Sequence, residues 1–402
     1  MAEEGTRRTE AGMAGIIEDD RTAITVRTRR IAHSLTRAAA AAVLLLASGC
    51  SGFFVYPGST GNGGGGNSTG DYVYVANAST ANIAGFSVGS GTLTQVPNSP
   101  YALAGSAPPT AIVVNPANTV LYVAAGTSIY AYGIQSNGVL NALYGGAAVA
   151  TATVAAMDIS PDGRWLLALD STGIDVFQIN VSTGGLTQQT TIGYPVTNPK
   201  PMSIKISPNA QYVFAALGTG GDLAFQFDNA TGALSSSPAL LSGSSNLNSD
   251  NALAVDATTT HLYIARSGPA GGLAVYTIGV FGQVTGSPFA TGGGPFSVAL
   301  NKAGTDVYVA NRTDGTISGF SIGTGTALTL TALSGSPYNS GLNVTSLAID
   351  NSGNYLLAAA SGGKPDLSLY SFDSATAGKL NLAASSATGT DPTVAIAVAA
   401  TH

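Results

Sequence analysis

Few groups able to do polar chemistry lie between Cys50 and His402: fifteen Asp, eight Lys and Arg, two His, one Cys and no Glu. General acid–base catalysis needs a group that titrates near the working pH, usually a His or a tuned carboxylate. His261 opens the apolar run His261-Leu262-Tyr263-Ile264, which places it on a hairpin surface, and His402 stands alone. Neither belongs to a Ser-His-Asp pattern, so no catalytic residue is assigned. The cations are more suggestive. Arg266, Arg312 and Lys200, with Lys205 nearby, could bind an anionic small molecule, because guanidinium forks match carboxylate and phosphate oxygens. The competing reading pairs each of them locally with an Asp or a loop carbonyl. A single Cys and scattered His allow no metal cluster, and Asp350-Asn351-Ser352-Gly353-Asn354 lacks the closing acidic residue of a calcium loop. No cofactor is expected either: the glycine run at 61–66 follows no strand and precedes no Lys, as a phosphate loop would.

Such residues act together only if the chain gathers them. Residues 286–338 run from one Gly-Ser-Pro-aromatic mark to the next, 49 residues on. Between the marks lie four apolar runs, at 296–300, 306–310, 316–322 and 328–333, each closed by Gly, Asn or Asp. Four strands in a period of 40–50 residues is a propeller blade. The second run recurs with its centre at Tyr74, Tyr122, Leu167, Phe214, Tyr263, Tyr308 and Leu357, and the third with an aromatic at Phe86, Tyr132, Phe177, Phe225, Tyr276, Phe320 and Tyr370. Seven copies predict an all-β, seven-bladed β-propeller of four-stranded antiparallel blades over residues 71–402. The region begins on a second-type run and ends on a first-type one (393–398), so the C-terminal strand is expected to join the first blade and close the ring. Closure pairs the edge that an unfinished first blade would leave open.

In that architecture the second strands end at Asn77, Ala125, Asp170, Leu217, Arg266, Asn311 and Ala360, ringing one mouth of the central channel. Arg266, Arg312 and Asp170 are its polar outliers, and Lys200 and Lys205 approach on an inner strand. The candidate ligand-binding set is therefore Arg266, Arg312, Asp170, Lys200, Asn77, Asn311 and Asp222. His261 belongs to the opposite rim.

The amino-terminal 49 residues differ in kind. They hold all four Glu and seven of the fifteen Lys and Arg, with Arg27, Arg29, Arg30 and Arg37 ahead of the apolar stretch 38–47. A basic region, about ten apolar residues and then Ser48-Gly49-Cys50 reads as a secretory signal, too short to span a bilayer. Residues 1–26 are a long lead for one, so translation could start later, and Arg29-Arg30 is a weak twin-arginine match. Residues 57–70 (PGSTGNGGGGNSTG) form a flexible tether. Beyond Cys50 the formal balance of charges is −7, without a basic run, which argues against nucleic-acid partners.

Two resemblances follow from these residues. Ala47-Ser48-Gly49-Cys50 resembles the box at which bacterial lipoproteins are cut before a Cys that is then lipidated. It implies a membrane anchor through Cys50 and a place in the cell envelope, with Ser51 favouring the outer membrane. Tyr72-Val73-Tyr74-Val75-Ala76-Asn77 and Val307-Tyr308-Val309-Ala310-Asn311, repeated in register with the Gly-Ser-Pro turns, make residues 71–402 similar to the lactonase-family propellers, which include 6-phosphogluconolactonase-like and YVTN-repeat proteins. Enzymes of that family carry a His on a mid-chain inner strand and then an Asp-Leu-Gly-x-Asp run. Here the strand reads Pro199-Lys200-Pro201-Met202-Ser203-Ile204, and the run keeps Leu217, Gly218 and a displaced Asp222. The expectation is a monomeric binding module for a small anion, a sugar lactone or an envelope protein. The alternative is a sugar-lactone hydrolase.

Overall fold

The computed structural model describes residues 70–103, 106–241, 246–324, 327–363, 365–389 and 395–402. The signal segment, Cys50 and the tether up to residue 69 lie outside the described residues. From Tyr72 onward the chain forms seven antiparallel sheets arranged as propeller blades, each ordered from an inner first strand to an outer fourth. All seven expected second-strand centres fall in second strands, from Tyr74 in Tyr72–Asn77 to Leu357 in Tyr355–Gly362.

Burial explains the apolar runs. A second strand is covered on both faces by neighbouring blades, and Tyr72–Asn77, Val120–Ala125 and Asp306–Asn311 are buried at every position. A fourth strand meets solvent, and in Leu186–Gly193 no residue is fully buried. Four of the second strands also fasten their blade to the next with a side-chain hydrogen bond. The phenols of Tyr74, Tyr122 and Tyr308 donate to the carbonyls of Gly138, Gly184 and Gly378 in the outer turn of the following blade, at 2.8, 3.0 and 2.6 Å. Trp165 Nε1 does the same to Asn229 O at 2.9 Å. Burial pushes the pKa of these three phenols up, so they remain donors throughout the physiological range.

The Gly-Ser-Pro-aromatic marks turn out to be places where a fourth strand breaks. Ser336 Oγ accepts the amide of Gly319 at 2.9 Å and the Tyr338 phenol turns back to Ser334 O. Ser287 Oγ takes Val275 N at 2.9 Å, and Ser99 Oγ takes Gly85 N at 2.8 Å. A hydroxyl thus replaces a missing strand carbonyl. In blades one, two, four and six a further two-residue strand then resumes pairing with the third strand.

The turn from first to second strand is built alike round the ring. In the hairpin Asn115 to Val120 the side chain of Asn115 accepts the amide of Val120 at 2.9 Å, and the backbone of Asn115 donates to Val120 O at 2.9 Å. Ser160 and Trp165, Ser207 and Tyr212, Asp256 and His261, Asn301 and Asp306, and Asp350 and Tyr355 repeat both bonds. In blade one no peptide joins the two strands, yet the same bonds form: Thr401 Oγ1 accepts Tyr72 N at 3.0 Å and Thr401 N donates to Tyr72 O at 2.9 Å. The ring closes here, as expected from the repeat pattern. The closing strand, Ala395–Ala400, reaches two residues further than the sequence suggests, because Ala400 pairs with Val73.

Replacing Tyr308 with Phe leaves the buried Gly378 carbonyl without its donor. The expected cost is about 1–3 kcal/mol, read as a lower midpoint in urea denaturation with an unchanged slope. Deleting residues 392–402 removes the closing strand and is expected to leave insoluble or poorly folded protein, checked by soluble yield and melting.

Candidate functional site

The second strands end, and the first strands begin, at one mouth of the channel. Arg266 lies near the end of His261–Ser267, opposite Asp250 on the first strand of the same blade. Its Nε donates to Asp250 Oδ1 at 2.6 Å and its Nη2 to Asp250 Oδ2 at 2.9 Å, a bidentate pair. Nη2 also donates to Tyr276 Oη at 3.0 Å, which accepts Gln283 Nε2 at 3.0 Å. Asp222, from the third strand of the preceding blade, comes within 3.6 Å of the same nitrogen. Arg266, Asp250 and Asp222 are each only 1–2 % exposed. Burial works against the guanidinium's charge, but the Asp250 carboxylate, helped by Tyr276, outweighs it and pushes the Arg266 pKa up. Arg266 is therefore a joint between blades four and five and does not reach the channel as a free cation. Local pairing is the reading that holds for it.

Other members of the predicted set, and Lys205 beside it, also turn to local tasks. Asp170 caps its own turn, accepting the amides of Thr172 and Gly173 at 2.6 and 2.8 Å. Lys205 pairs with Asp158 of the neighbouring inner strand at 3.1 Å, and Asp158 accepts the Ile206 amide as well. Asn77 is wholly buried, bonding Asn82 Oδ1 and Thr388 O and accepting the Thr388 hydroxyl at 2.9 Å. Asn311, its counterpart, donates to Thr316 Oγ1 and Ser318 Oγ, and its buried Oδ1 has no hydrogen-bond partner among the described residues. Gly292, in the loop facing it, packs closely on the amide: a Cβ there would lie 2.7 Å from Asn311 Nδ2, leaving no room for a side chain.

Of the predicted set, two cations remain exposed, Lys200 and Arg312. Arg312 stacks its guanidinium on the ring of Phe296, 4.6 Å from the centroid, while its amide donates to Gly294 O at 2.8 Å. No carboxylate forms an ion pair with either cation among the described residues. A chain of contacts joins them. A Cβ on Gly218 would stand 3.1 Å from Lys200 Cβ and 3.3 Å from Ser249 Oγ. Ser249 Oγ bonds Asn251 Oδ1 at 2.8 Å, and Asn251 Nδ2 reaches Pro295 O at 2.7 Å, next to Phe296. Polar contacts thus run from the loop of Lys200 to that of Arg312, partly at the mouth through Ser249 and partly beneath it through the buried Asn251. Asp250, Asn251, Tyr276 and Phe296 lie outside the predicted set. Simple register across the hairpin would set Asn251 opposite Arg266, so Asp250 is found only through the bulge that shifts the pairing.

His261 lies where the sequence put it, on the hairpin face. Its Nδ1 is 3.1 Å from Asp256 Oδ2, beside a groove of about 280 Å³ lined by Tyr263, Ala303, Ile322 and Leu328. No group of three or more His, Cys, Asp or Glu that could hold a metal occurs among the described residues.

Truncating Arg266 to Ala strands two buried carboxylates, and about 3–5 kcal/mol of stability should be lost. Arg312→Ala, at an exposed position, should move the denaturation midpoint by no more than about 0.5 kcal/mol. Parallel urea titrations of the two variants check both values.

No protein-family model matches this chain, and no curated protein matches it. Solved structures do. A candidate 6-phosphogluconolactonase from Bacteroides fragilis superposes with a TM-score of 0.63 at 16 % identity, covering 84 % of this chain and 100 % of the other. One from Bacteroides uniformis gives 0.64 at 17 %, covering 82 % and 99 %. The periplasmic gluconolactonase of Pseudomonas aeruginosa gives 0.59 at 15 %, covering 77 % and 95 %. At such identities the likeness is one of fold: residues 71–402 form a seven-bladed propeller of the kind seen in 6-phosphogluconolactonase-like structures.

Proposed function

We propose that this propeller is a binding module, held in the cell envelope through a lipidated Cys50, that takes a small anionic ligand of the sugar-acid class at the mouth between Lys200 and Arg312. The observation that carries the reading is the state of the two arginines. Arg266 is spent on Asp250, whereas Arg312 stands exposed on an aromatic platform with its charge available. A guanidinium held over a ring loses little side-chain freedom on accepting a carboxylate, and its fork fits two oxygens. Ser249 and Ser267, half-buried and held by the buried Asn251, are short hydrogen-bonding groups of the kind that meet sugar hydroxyls.

Lactone hydrolysis is the second reading, favoured by the shared fold with a periplasmic gluconolactonase. Against it, the Asp256–His261 pair lies on the face opposite the mouth, and Asp170 is committed to its turn.

Calorimetric titration of residues 52–402 with gluconate and 6-phosphogluconate tests binding. Arg312→Ala is expected to weaken it about tenfold or more, the worth of one charge-assisted bond. Hydrolysis of glucono-δ-lactone and 6-phosphogluconolactone well above the buffer rate, and lost in Arg312→Ala, would establish the second reading instead. Anchorage is checked separately: cells given labelled palmitate should mark the wild-type chain and leave Cys50→Ala unmarked.

A further inference from the structure

The seventh first-to-second-strand junction differs from the other six in its covalent structure and in one residue. In the covalent hairpins the residue just before the second strand is Thr119, Arg164, Gln211, Thr260, Thr305 or Asn354. The equivalent residue at the seam is Asp71, identified by its carbonyl. Asp71 O accepts Val88 N, as Thr119 O accepts Ile134 N and Thr305 O accepts Ile322 N. It is the only acid in the series.

Its carboxylate does not turn to solvent. Asp71 Oδ1 accepts the amide of Asn351 at 3.1 Å and Oδ2 that of Ser352 at 3.2 Å, both on the hairpin of blade seven. The Ser352 amide also stands 3.2 Å from Asp350 Oδ2. Asp350 is 2 % exposed and takes Tyr355 N at 2.7 Å and the Ser352 hydroxyl. Two carboxyl groups therefore converge on one N–H, each with an oxygen 3.2 Å from it. Two carboxylates are both acceptors, so this close approach of like charges is relieved when one of them carries a proton.

We propose that Asp71 and Asp350 share a proton across the seam and act as a pH-sensitive latch on ring closure, held in mildly acid solution and loosened in alkaline. Burial first, then the hydrogen bond and charge of Asp350, push the Asp71 carboxyl up to about 7, against the opposing donation of the Asn351 and Ser352 amides. The other groups facing the pair do not cancel this. Lys302, from the neighbouring hairpin, directs its ammonium to Asn351 O at 2.6 Å. The closing strand contributes the Thr401 hydroxyl and His402, which bonds Asn118 and Val114. No cation forms an ion pair with Asp71 among the described residues.

The direction of the effect follows. The folded chain keeps a proton that an unfolded Asp, with its usual pKa near 3.8, has released. That contribution is complete below about pH 4 and is lost as the pH rises through about 7. When the proton leaves, two adjacent charges compete for the Ser352 amide. The strain falls on the strand Tyr72–Asn77, the one that follows the tether.

Melting of the full mature chain at pH 5 and pH 8.5 tests the latch. Wild type should lose about 2 °C more between these conditions than Asp71→Asn, which keeps an acceptor and cannot titrate. Asp350→Asn preserves the Tyr355 cap and should flatten the profile likewise, so one variant suffices if the other does not fold. Amide exchange, corrected for its intrinsic pH dependence, localises the change. Tyr72 and Thr401 should lose protection at pH 8.5 relative to Val120 and Asn115 in a covalent hairpin. Equal melting slopes in wild type and both variants, or equal protection at the two junctions, would overturn the proposal.

Discussion

A blade of this propeller is apolar on both faces, and each face must be covered by the next sheet round the ring. Almost everything else in the molecule answers to that constraint. Both-sided burial makes the second strands continuously apolar. It also leaves their Tyr hydroxyls inside, where each needs an acceptor. The carbonyls of Gly138, Gly184 and Gly378 provide it. Inner strands obey the same rule with shorter side chains, as when Ser297 Oγ accepts Leu347 N and Ser346 Oγ accepts Val398 N across neighbouring blades. A polar residue between blades is thus first of all a structural residue.

That rule sorts the candidate site. Arg266, Asp250 and Asp222 lie within the packing between two blades, where a lone charge would be untenable and a bidentate pair is tolerated. Arg312 and Lys200 lie on the loops above it, where the packing constraint has lapsed and their charges meet solvent. The buried cluster still serves the mouth indirectly. It fixes the start of the strand Ser249–Val255, and with it Ser249 and Asn251, between the two cations.

The fold is legible in the chain because it is repeated. Periods of 45 to 49 residues place Tyr74, Tyr122 and Tyr308 in equivalent strands by counting alone. The site is legible only in part, because it lies where the repeats diverge. Counting back from the turn pairs Val255 with Leu262 and would set Asn251 against Arg266. A bulge between Asp250 and Ala252 shifts the register and brings Asp250 there instead. The Phe296 platform is hidden for another reason. Its partner Arg312 is 16 residues away, on the loop beyond the second strand, and nothing in the local pattern announces a stacking contact. The Gly-Ser-Pro marks stand out at once, yet their role as hydroxyl caps on a broken strand emerges only from the geometry.

The seam reproduces a hairpin with no peptide bond across it. In every covalent copy four residues separate the side-chain acceptor from the amide it caps, as Pro116, Ala117, Asn118 and Thr119 separate Asn115 from Val120. At the seam three of those places are already filled, by His402, Gly70 and Asp71. With the chain before Gly70 removed, one residue joining His402 to Gly70 would turn the junction into a seventh ordinary hairpin and the propeller into a closed circle of chain. The order in which its blades are numbered is then a matter of where the circle is cut. Cutting it at another hairpin would move the tether to a different blade and leave the mouth unchanged.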